Sequence, residues 1–219
     1  LIGHQVRNMK NLILIRHGQS IYNLENRFTG WKDVDLTHKG INEAKNASIL
    51  LKDYNIDIAF TSKLKRAQNT LNIILENLNI NIPITQDVRL NERDYGDLVD
   101  QNKAEASVKY GADQVQIWRR SYDVPPPNGE SLKDTYDRCI PCFKSILSND
   151  KNIIISAHGN SIRAIVKYLL NISEEDILKT EIGWCEPWVF KIKDNKVIDL
   201  DILYFETDSN SNVELERKT

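Results

Sequence analysis

Residues 12–21 read LILIRHGQSI, and the predicted fold is built around these ten residues. Its first part, Leu12–Ile15, is a short continuous apolar run, which is typical of a strand buried on both faces of a parallel sheet. The run stops at Arg16-His17-Gly18, and Gln19-Ser20-Ile21 then starts a helix with a polar residue placed to cap it. A strand that enters a helix through a glycine turn presents backbone N–H groups and a positive dipole end to an anion.

Residues 152–162, NIIISAHGNSI, repeat this pattern. In both copies an apolar strand leads into His-Gly, and the two pairs are His17-Gly18 and His158-Gly159. In an open α/β sheet, ligands bind beyond the carboxyl ends of the strands. The repeat therefore predicts that both imidazoles lie in one pocket. A single histidine at a strand end is more often structural, but two at matching strand ends favour a functional role.

The composition is that of an ordinary globular protein. The chain has 219 residues, of which 41% are hydrophobic and 27% charged, and this length suits one large α/β domain. The formal charge of −2 gives no global sign of a nucleic-acid or membrane partner, so any strong positive field must be local. The sequence shows no signal peptide and no apolar run of bilayer length.

The three cysteines are an odd number, and two of them have CxxC spacing at Cys139 and Cys142. This pair falls among apolar positions inside a predicted helix, which favours a packed core over a redox site. Cysteine usage therefore indicates a reducing compartment and predicts a cytoplasmic location.

The alternation of strands and helices predicts an α/β fold, a three-layer α/β/α sandwich with a mostly parallel central sheet. We expect a single domain over residues 9–205. Residues 1–8 precede the only methionine, Met9, and are interpreted as a cloning remnant, and residues 206–219 are expected to form a flexible polar tail. The predicted strands cover residues 12–15, 56–60, 83–85, 152–157, 188–192 and 197–205, and the predicted helices cover 38–51, 64–78, 103–110, 113–121, 131–147 and 159–170.

Two of these helices have recognisable starts. Thr37 is placed to cap the first of them, and Ser131 with Asp134 resembles a capping box. Pro141 falls inside the later helix and is expected to kink it or to remove a hydrogen bond. The apolar positions of the helix after Thr37 predict a stripe that faces the core. They are Ile41, Ala44, Ala47, Ile49, Leu50 and Leu51.

Other uses of the two histidines stay open at this point. Carboxylates near Glu92 and Asp94 could complete a metal site, yet the sequence has no HxH or HExxH spacing. Serine–histidine hydrolysis is less favoured because GxSxG is absent. Arg16 and Arg163 flank the histidines and could be surface charges, although Arg16 directly follows a buried run, where a guanidinium needs a partner or a ligand.

Phosphoryl transfer fits these residues better. A neutral imidazole can attack phosphorus, and nearby arginines disfavour the imidazolium form and so lower the pKa of histidine. The same guanidiniums stabilise the charge on the equatorial oxygens of the transition state. A carboxyl group must also protonate the leaving alkoxide and later deprotonate the attacking hydroxyl. A carboxylate beside a phosphate is repelled by it, which favours the protonated form that such a step needs. Glu92 is the candidate, and the alternative is that it is one surface acid among many.

These residues resemble the cofactor-dependent phosphoglycerate mutases of the histidine phosphatase superfamily. The resemblance covers most of residues 9–176. Arg-His-Gly alone marks only the superfamily, whereas the full set of motifs is specific to the mutase branch. The motifs are Arg16-His17-Gly18, Asn26-Arg-Phe-Thr-Gly-Trp31, Thr61-Ser-Lys-Leu-Lys-Arg66, Leu90-Asn-Glu-Arg93, Tyr95-Gly96, Asn102-Lys103, Trp118-Arg119-Arg120 and His158-Gly-Asn-Ser161.

The resemblance implies a role for each matched position. It implies that His17 carries the phosphoryl group, that Glu92 donates and accepts the proton, and that Arg16, Arg66 and His158 line the transferring phosphate. Substrate-binding residues would be Ser20, Asn23, Thr29, Gly30, Tyr95, Lys103, Arg119, Arg120, Gly159 and Asn160. The implied reaction is the glycolytic and gluconeogenic interconversion of 2- and 3-phosphoglycerate, primed by 2,3-bisphosphoglycerate without a metal ion. Family members are often homodimers or homotetramers.

Three segments depart from the family pattern. Asp100 stands in a turn that usually contains glycine, the loop 125–129 is short, and residues 183–187 differ. Because none of these is a proposed chemical residue, the departures bear on lid behaviour and side activities. A phosphatase that transfers the same phosphoryl group to water, and a binding protein on an inactive scaffold, are the competing interpretations.

Overall fold

A computed structural model describes residues 9–205, so the expectations for residues 1–8 and 206–219 lie outside the described residues. The described part contains strands β1–β6 and helices α1–α8, close to the predicted elements. The strands are β1 Lys10–Arg16, β2 Ile58–Thr61, β3 Ile84–Gln86, β4 Ile153–Ala157, β5 Trp188–Lys193 and β6 Lys196–Ile202. The helices are α1 Ile21–Leu24, α2 His38–Leu51, α3 Lys65–Asn77, α4 Lys103–Tyr110, α5 Ala112–Arg120, α6 Leu132–Leu147, α7 Gly159–Leu170 and α8 Glu174–Leu178.

The strands form one sheet in the order β3-β2-β4-β1-β5-β6. The first four strands in this order are parallel to one another. Strand β5 is antiparallel to its neighbour β1, and β6, at the edge of the sheet, is antiparallel to β5. The prediction of a mostly parallel α/β sheet is confirmed. Asp194 and Asn195 join β5 to β6 with φ of 52° and 60°, a conformation that asparagine and aspartate tolerate in tight hairpin turns.

The two faces of the sheet alternate along β1. Leu12 and Leu14 pack against α6 and α7, and Ile13 and Ile15 pack against α2 and α3. All four side chains are fully buried, as the continuous apolar run predicts for a strand covered on both faces.

The register of the parallel strands sets the position of the residues that follow them. Arg16 of β1 pairs with Ala157 of β4, and Thr61 of β2 pairs with Ser156. The residues that directly follow these three adjacent strands therefore lie together at the carboxyl ends of the strands. They are residues 17, 158 and 62.

The α2 stripe is narrower than predicted. Ala44, Ala47 and Leu51 are buried, but Ile49 is 54% exposed. Successive residues turn by about 100° in a helix, so Ile49 points away from a face defined by positions 44, 47 and 51.

The predicted helix starts are confirmed. The Thr37 hydroxyl accepts a hydrogen bond from the Gly40 N–H (3.1 Å), and Ser131 and Asp134 form a reciprocal capping box. Helix α6 continues through Pro141. The short helix α8 was not predicted from the sequence.

The cysteine interpretation also fits the structure. Cys139 and Cys142 are buried free thiols, and burial raises the pKa of Cys139 to about 12 and that of Cys142 to about 11. Such thiols are largely protonated near neutral pH, which favours a packing role over redox chemistry.

The turn after β1 depends on two glycines. A Cβ on Gly18 would lie 2.4 Å from the carbonyl oxygen of Gly40, and one on Gly40 would lie 2.2 Å from that of Gln19. The absence of both side chains lets the start of α2 pack directly against the turn that carries His17.

Asp100 occupies the turn where a glycine was expected, and it has a φ of 73°. The Tyr22 hydroxyl donates to its carboxylate (2.6 Å), and Arg27 donates to its carbonyl oxygen (2.9 Å). These contacts hold an aspartate in the left-handed region that glycine adopts more readily.

Candidate active site

His17 lies at the carboxyl end of β1 and is 3% exposed. Its Nδ1 is 2.6 Å from the carbonyl oxygen of Gly18. Because a carbonyl only accepts hydrogen bonds, Nδ1 carries the ring proton in the neutral imidazole, and Nε2 keeps a lone pair. The backbone contact therefore selects the tautomer that a nucleophile needs.

His158 leaves β4 beside His17, and the two ring centroids are 5.1 Å apart with an interplanar angle of 59°. Its Nε2 lies 2.8 Å from the Ser62 hydroxyl. The structure thus brings together the two imidazoles that the repeated strand ends predict in one pocket.

Two guanidiniums flank the histidines, that of the buried Arg66 and that of the half-buried Arg16. Arg66 is 1% exposed and donates to the carbonyl oxygens of Lys32 (2.9 Å) and Gly30 (2.8 Å). Arg16 donates from Nη1 to the Ile182 carbonyl (2.9 Å), and its Cζ lies 5.8 Å from the Trp184 ring centroid. Because these hydrogen-bond partners are neutral carbonyls, they hold both side chains in place without neutralising their positive charges.

The pKa of His17 is held well below its usual value, first by burial and then by the charges of Arg66 and Arg16. Burial likewise holds the pKa of His158 well below the usual value, with further lowering from Arg66, His17 and Arg16. Both rings are therefore neutral near pH 7, which leaves the lone pair of His17 Nε2 free to react.

Glu92 is 9% exposed, and its backbone and carboxylate are both fixed. One carboxylate oxygen accepts from the backbone N–H groups of Arg93 (2.7 Å) and Asn160 (3.1 Å). Its carbonyl oxygen accepts from Trp31 Nε1 (2.6 Å) and from Arg138 (3.0 Å). The carboxyl group is thereby turned toward the start of α7 and away from bulk solvent.

Glu92 and Arg16 both lie beside Gly159 at the start of α7. A Cβ at this position would be in ordinary van der Waals contact with Arg16 Nε (3.5 Å) and with the second carboxylate oxygen of Glu92 (3.8 Å). Arg16 Nε is buried and has no hydrogen-bond partner within residues 9–205. An unpartnered buried donor beside two neutral histidines fits a phosphoryl oxygen as its acceptor.

A second group of cations adjoins this centre. Burial, together with the charges of Arg119, Arg16 and Arg120, lowers the pKa of Lys103 to about 8. Lys103 and Arg119 both lie within 6 Å of the Phe28 ring centroid. A neighbouring cavity is lined by Arg93, Arg119, Arg120, Leu132, Asn160, Arg163 and Leu178. A molecule of net charge −2 thus concentrates positive charge around one pocket.

The other predicted binding residues differ in how closely their contacts tie them to this centre. Gly30 is held by Arg66, and the Tyr95 hydroxyl is 3.4 Å from the Asn160 amide nitrogen. Ser20 and Asn23 form a reciprocal capping box at the start of α1. Half-buried Thr29 precedes Gly30, and its carbonyl accepts from the Lys32 N–H (2.9 Å).

Several residues near the site were missed or left undecided by the sequence analysis. Ser62 contacts His158, and Trp184 lies against Arg16. Arg163 donates to the Thr180 carbonyl (2.8 Å) and to the Asn160 side chain (3.2 Å), so it is not a free surface charge. Two signals could have found Ser62, namely its position after a predicted strand and its place in the motif that begins at Thr61.

The neutral histidines predict a pH dependence of stability. Their folded pKa values lie below the unfolded value of about 6.5, so below that pH the unfolded chain binds protons that the folded chain does not. We expect the free energy of unfolding to fall as pH drops through 6.5, by up to about 1.4 kcal/mol per pH unit for each histidine. Urea unfolding at pH 7.5, 6.5 and 5.5 measures this.

The matched variant is His17→Asn, which we expect to show a shallower slope than the wild-type protein. A wild-type free energy of unfolding that stays level from pH 7.5 to 5.5 would contradict neutral burial of the two rings.

Comparison with known proteins agrees with this geometry. A model described as the histidine phosphatase superfamily (branch 1) matches residues 12–199. A 2,3-bisphosphoglycerate-dependent phosphoglycerate mutase of Nitrobacter hamburgensis is 53% identical over an alignment of 188 positions, gaps included, that covers 83% of this chain and 91% of the relative. The 2,3-bisphosphoglycerate-dependent phosphoglycerate mutase 2 of Bacteroides thetaiotaomicron is 45% identical over an alignment of 219 positions, gaps included, that covers 85% of this chain and 88% of the relative.

Solved structures show the same fold. The α-ribazole phosphatase of Shigella flexneri has a TM-score of 0.77 and 24% identity, over 88% of this chain and 95% of that one. A mycobacterial glucosyl-3-phosphoglycerate phosphatase has a TM-score of 0.77 and 22% identity, over 91% and 100%. These two similarities concern the fold alone. By the family model and its relatives, the chain belongs to the histidine phosphatase superfamily and, within it, to the family of 2,3-bisphosphoglycerate-dependent phosphoglycerate mutases.

Proposed function

We propose that this protein interconverts 2-phosphoglycerate and 3-phosphoglycerate through a phosphoryl group carried on His17. The observation that carries the proposal is the second cationic group, Lys103, Arg119 and Arg120, beside the paired histidines. A phosphatase of broad specificity has little need of a second anion site, whereas a mutase must hold the carboxylate and the second phosphate of 2,3-bisphosphoglycerate while its other phosphoryl group is transferred to or from the enzyme.

In the first half-reaction, Nε2 of His17 attacks one phosphorus of 2,3-bisphosphoglycerate, a P–N bond forms and the P–O bond to that carbon's oxygen breaks, which leaves a monophosphoglycerate. Arg16 and Arg66 stabilise the charge on the transferring oxygens. Glu92, in its protonated form, gives its proton to the departing alkoxide.

The second half-reaction reverses these roles. The Glu92 carboxylate takes the proton of the free hydroxyl of an incoming monophosphoglycerate, that oxygen attacks phosphorus, and the P–N bond breaks, which forms 2,3-bisphosphoglycerate again. Bound 2,3-bisphosphoglycerate supplies the phosphoryl group that primes the enzyme. The unpartnered Arg16 Nε and the adjoining cations fit a ligand with two phosphates.

An enolase-coupled assay tests the proposal directly. We expect conversion of 3-phosphoglycerate to depend on added 2,3-bisphosphoglycerate and to exceed the release of inorganic phosphate. Release of phosphate faster than isomerisation would replace the mutase with a phosphatase, the activity named for the two solved structures of the same fold. Phosphoglycerate binding with neither turnover nor enzyme phosphorylation would indicate a binding protein.

The chemistry above uses no metal ion, and we expect chelation to leave it unchanged. Within residues 9–205, no group of three or more histidine, cysteine or acidic side chains is arranged to hold a metal ion. Activity after dialysis against EDTA should equal that of the undialysed enzyme. Loss of activity that added Mn²⁺ or Zn²⁺ restores would contradict this mechanism.

From the cysteine usage we also propose a cytoplasmic location, and by family resemblance a homodimeric or homotetrameric state. None of the helices within residues 9–205 is long and apolar enough to cross a bilayer. Cell fractionation and sedimentation velocity test these two proposals.

A further inference from the structure

Ser62 is a fully buried serine at the end of β2, and the sheet register places it next to His158. Thr61 pairs with Ser156, so the residues that follow these strands leave the sheet together. The Ser62 hydroxyl oxygen is 2.8 Å from His158 Nε2. This contact fixes which nitrogen of His158 carries the proton.

The hydrogen bonds of Ser62 decide the direction of that contact. The hydroxyl oxygen already accepts a hydrogen bond from the Leu64 N–H (3.2 Å) at the start of α3. A hydroxyl has one proton to donate, and buried donors in folded proteins are nearly always paired. Within the described residues, His158 Nε2 is the acceptor at hydrogen-bond distance. Ser62 therefore donates to Nε2, and the ring proton of neutral His158 resides on Nδ1.

The protonated nitrogen of His158 is left free for a ligand. Nδ1 is buried and has no hydrogen-bond partner within residues 9–205. Its ring lies 5.1 Å from that of His17 and interacts electrostatically with Arg66 and Arg16. An N–H group in this position can donate to an oxygen of the transferring phosphoryl group. The opposite tautomer would direct a lone pair at the same oxygens, which is repulsive.

We propose that Ser62 is a positioning residue that holds His158 in the Nδ1–H tautomer and so provides a hydrogen-bond donor for the transferring phosphoryl group. The proposal rests on the proposed function, because it assigns Ser62 a part in the same reaction. Ser62 is itself held, since Gln68 donates to its carbonyl oxygen (3.1 Å) and the Leu64 N–H to its hydroxyl.

The tautomer is measured without any reference to activity, by ¹⁵N NMR of protein labelled in its histidine rings. We expect the His158 Nδ1 resonance in the protonated range and Nε2 in the unprotonated range, with the assignment made by comparison with His158→Asn. Ser62→Ala should move both resonances toward the opposite tautomer or toward averaging. Ser48→Ala is the control, because Ser48 is a buried serine whose hydroxyl donates to Lys45 within α2 (2.5 Å), and it should leave the resonances unchanged.

Kinetics test the consequence. Removal of a group that orients a functional histidine typically costs about 10- to 100-fold, so we expect Ser62→Ala to lower kcat by that amount. Ser62→Thr keeps the hydroxyl and should restore kcat to within a few-fold of wild type. In a His158→Ala background, Ser62→Ala should have almost no further effect on kcat, because it acts through a ring that is no longer present.

The outcomes separate this inference from the proposed function. A wild-type His158 that is protonated on Nε2, or resonances that Ser62→Ala does not move, would overturn the role of Ser62 even in an active mutase. The expected tautomer together with phosphatase activity would leave the role of Ser62 intact and reject the mutase. Equal losses from Ser62→Ala in the wild-type and His158→Ala backgrounds would reduce Ser62 to a structural contact.

Discussion

His17→Ala should abolish both the phosphoryl-enzyme and the mutase activity. Nδ1 of His17 contacts the Gly18 carbonyl, so the proposed mechanism assigns the attack on phosphorus to Nε2, and alanine offers no nucleophile in its place. Loss of a nucleophile of this kind lowers kcat on the order of 10⁵-fold or more. The measurement is the acid-labile label left on the enzyme after incubation with ³²P-labelled 2,3-bisphosphoglycerate, together with the enolase-coupled rate.

His38→Ala is the matched control. His38 is an exposed histidine in the first turn of α2, and we expect it to keep the full label and rate. Equal melting temperatures of the two variants would show that both are folded. An acid-labile label that persists in His17→Ala would move the phosphoryl group to another residue and end the proposed mechanism.

Glu92→Gln should separate proton transfer from phosphoryl transfer. Glutamine has nearly the same shape, and its amide oxygen can still accept from the N–H groups of Arg93 and Asn160, so the fold should persist. It cannot donate or accept the catalytic proton. General acid–base catalysis typically contributes about 10²- to 10⁴-fold, and we expect kcat for phosphoglycerate to fall by that factor.

The leaving group provides the sharper test of Glu92. A p-nitrophenolate leaves without a proton, so the rate at which p-nitrophenyl phosphate phosphorylates His17 should fall far less in Glu92→Gln than the rate with a phosphoglycerate. Glu76→Gln, an exposed substitution on α3, should leave both rates unchanged. Equal losses with both phosphoryl donors would assign Glu92 a binding or structural role in place of proton transfer.

Much of the central geometry follows from local sequence. The apolar run before Arg16 and the similar run before His158 predict two buried parallel strands, and both are neighbours in the sheet. The continuous apolar run before each histidine and the glycine after it are local properties. They suffice to place both rings at the carboxyl ends of parallel strands. The capping serine and threonine likewise mark helix starts that the structure confirms.

Residues outside the strand ends are harder to place from sequence. Lys103, Arg119 and Arg120 were assigned to the site by resemblance, because they lie on helices far along the chain from His17. The pKa of Lys103 is lowered by burial and by the charges of Arg119 and Arg120, and both effects depend on distances that only the packed chain sets. The exposed Ile49 shows the opposite error, in which an apolar residue was assigned to a core that its helix turns away from.

Patterns within ten or so residues are enough to predict the α/β class, the two histidine-bearing strand ends and the identity of the ionisable groups. The packed chain was needed to show which ring nitrogen of each histidine carries the proton and toward which groups the Glu92 carboxylate is directed. Those features depend on single partners, such as the Gly18 carbonyl, the Ser62 hydroxyl and the Asn160 N–H, and a shift of one ångström removes such a hydrogen bond. Strand register and helix packing fix distances on that scale, and no local pattern in the chain encodes them.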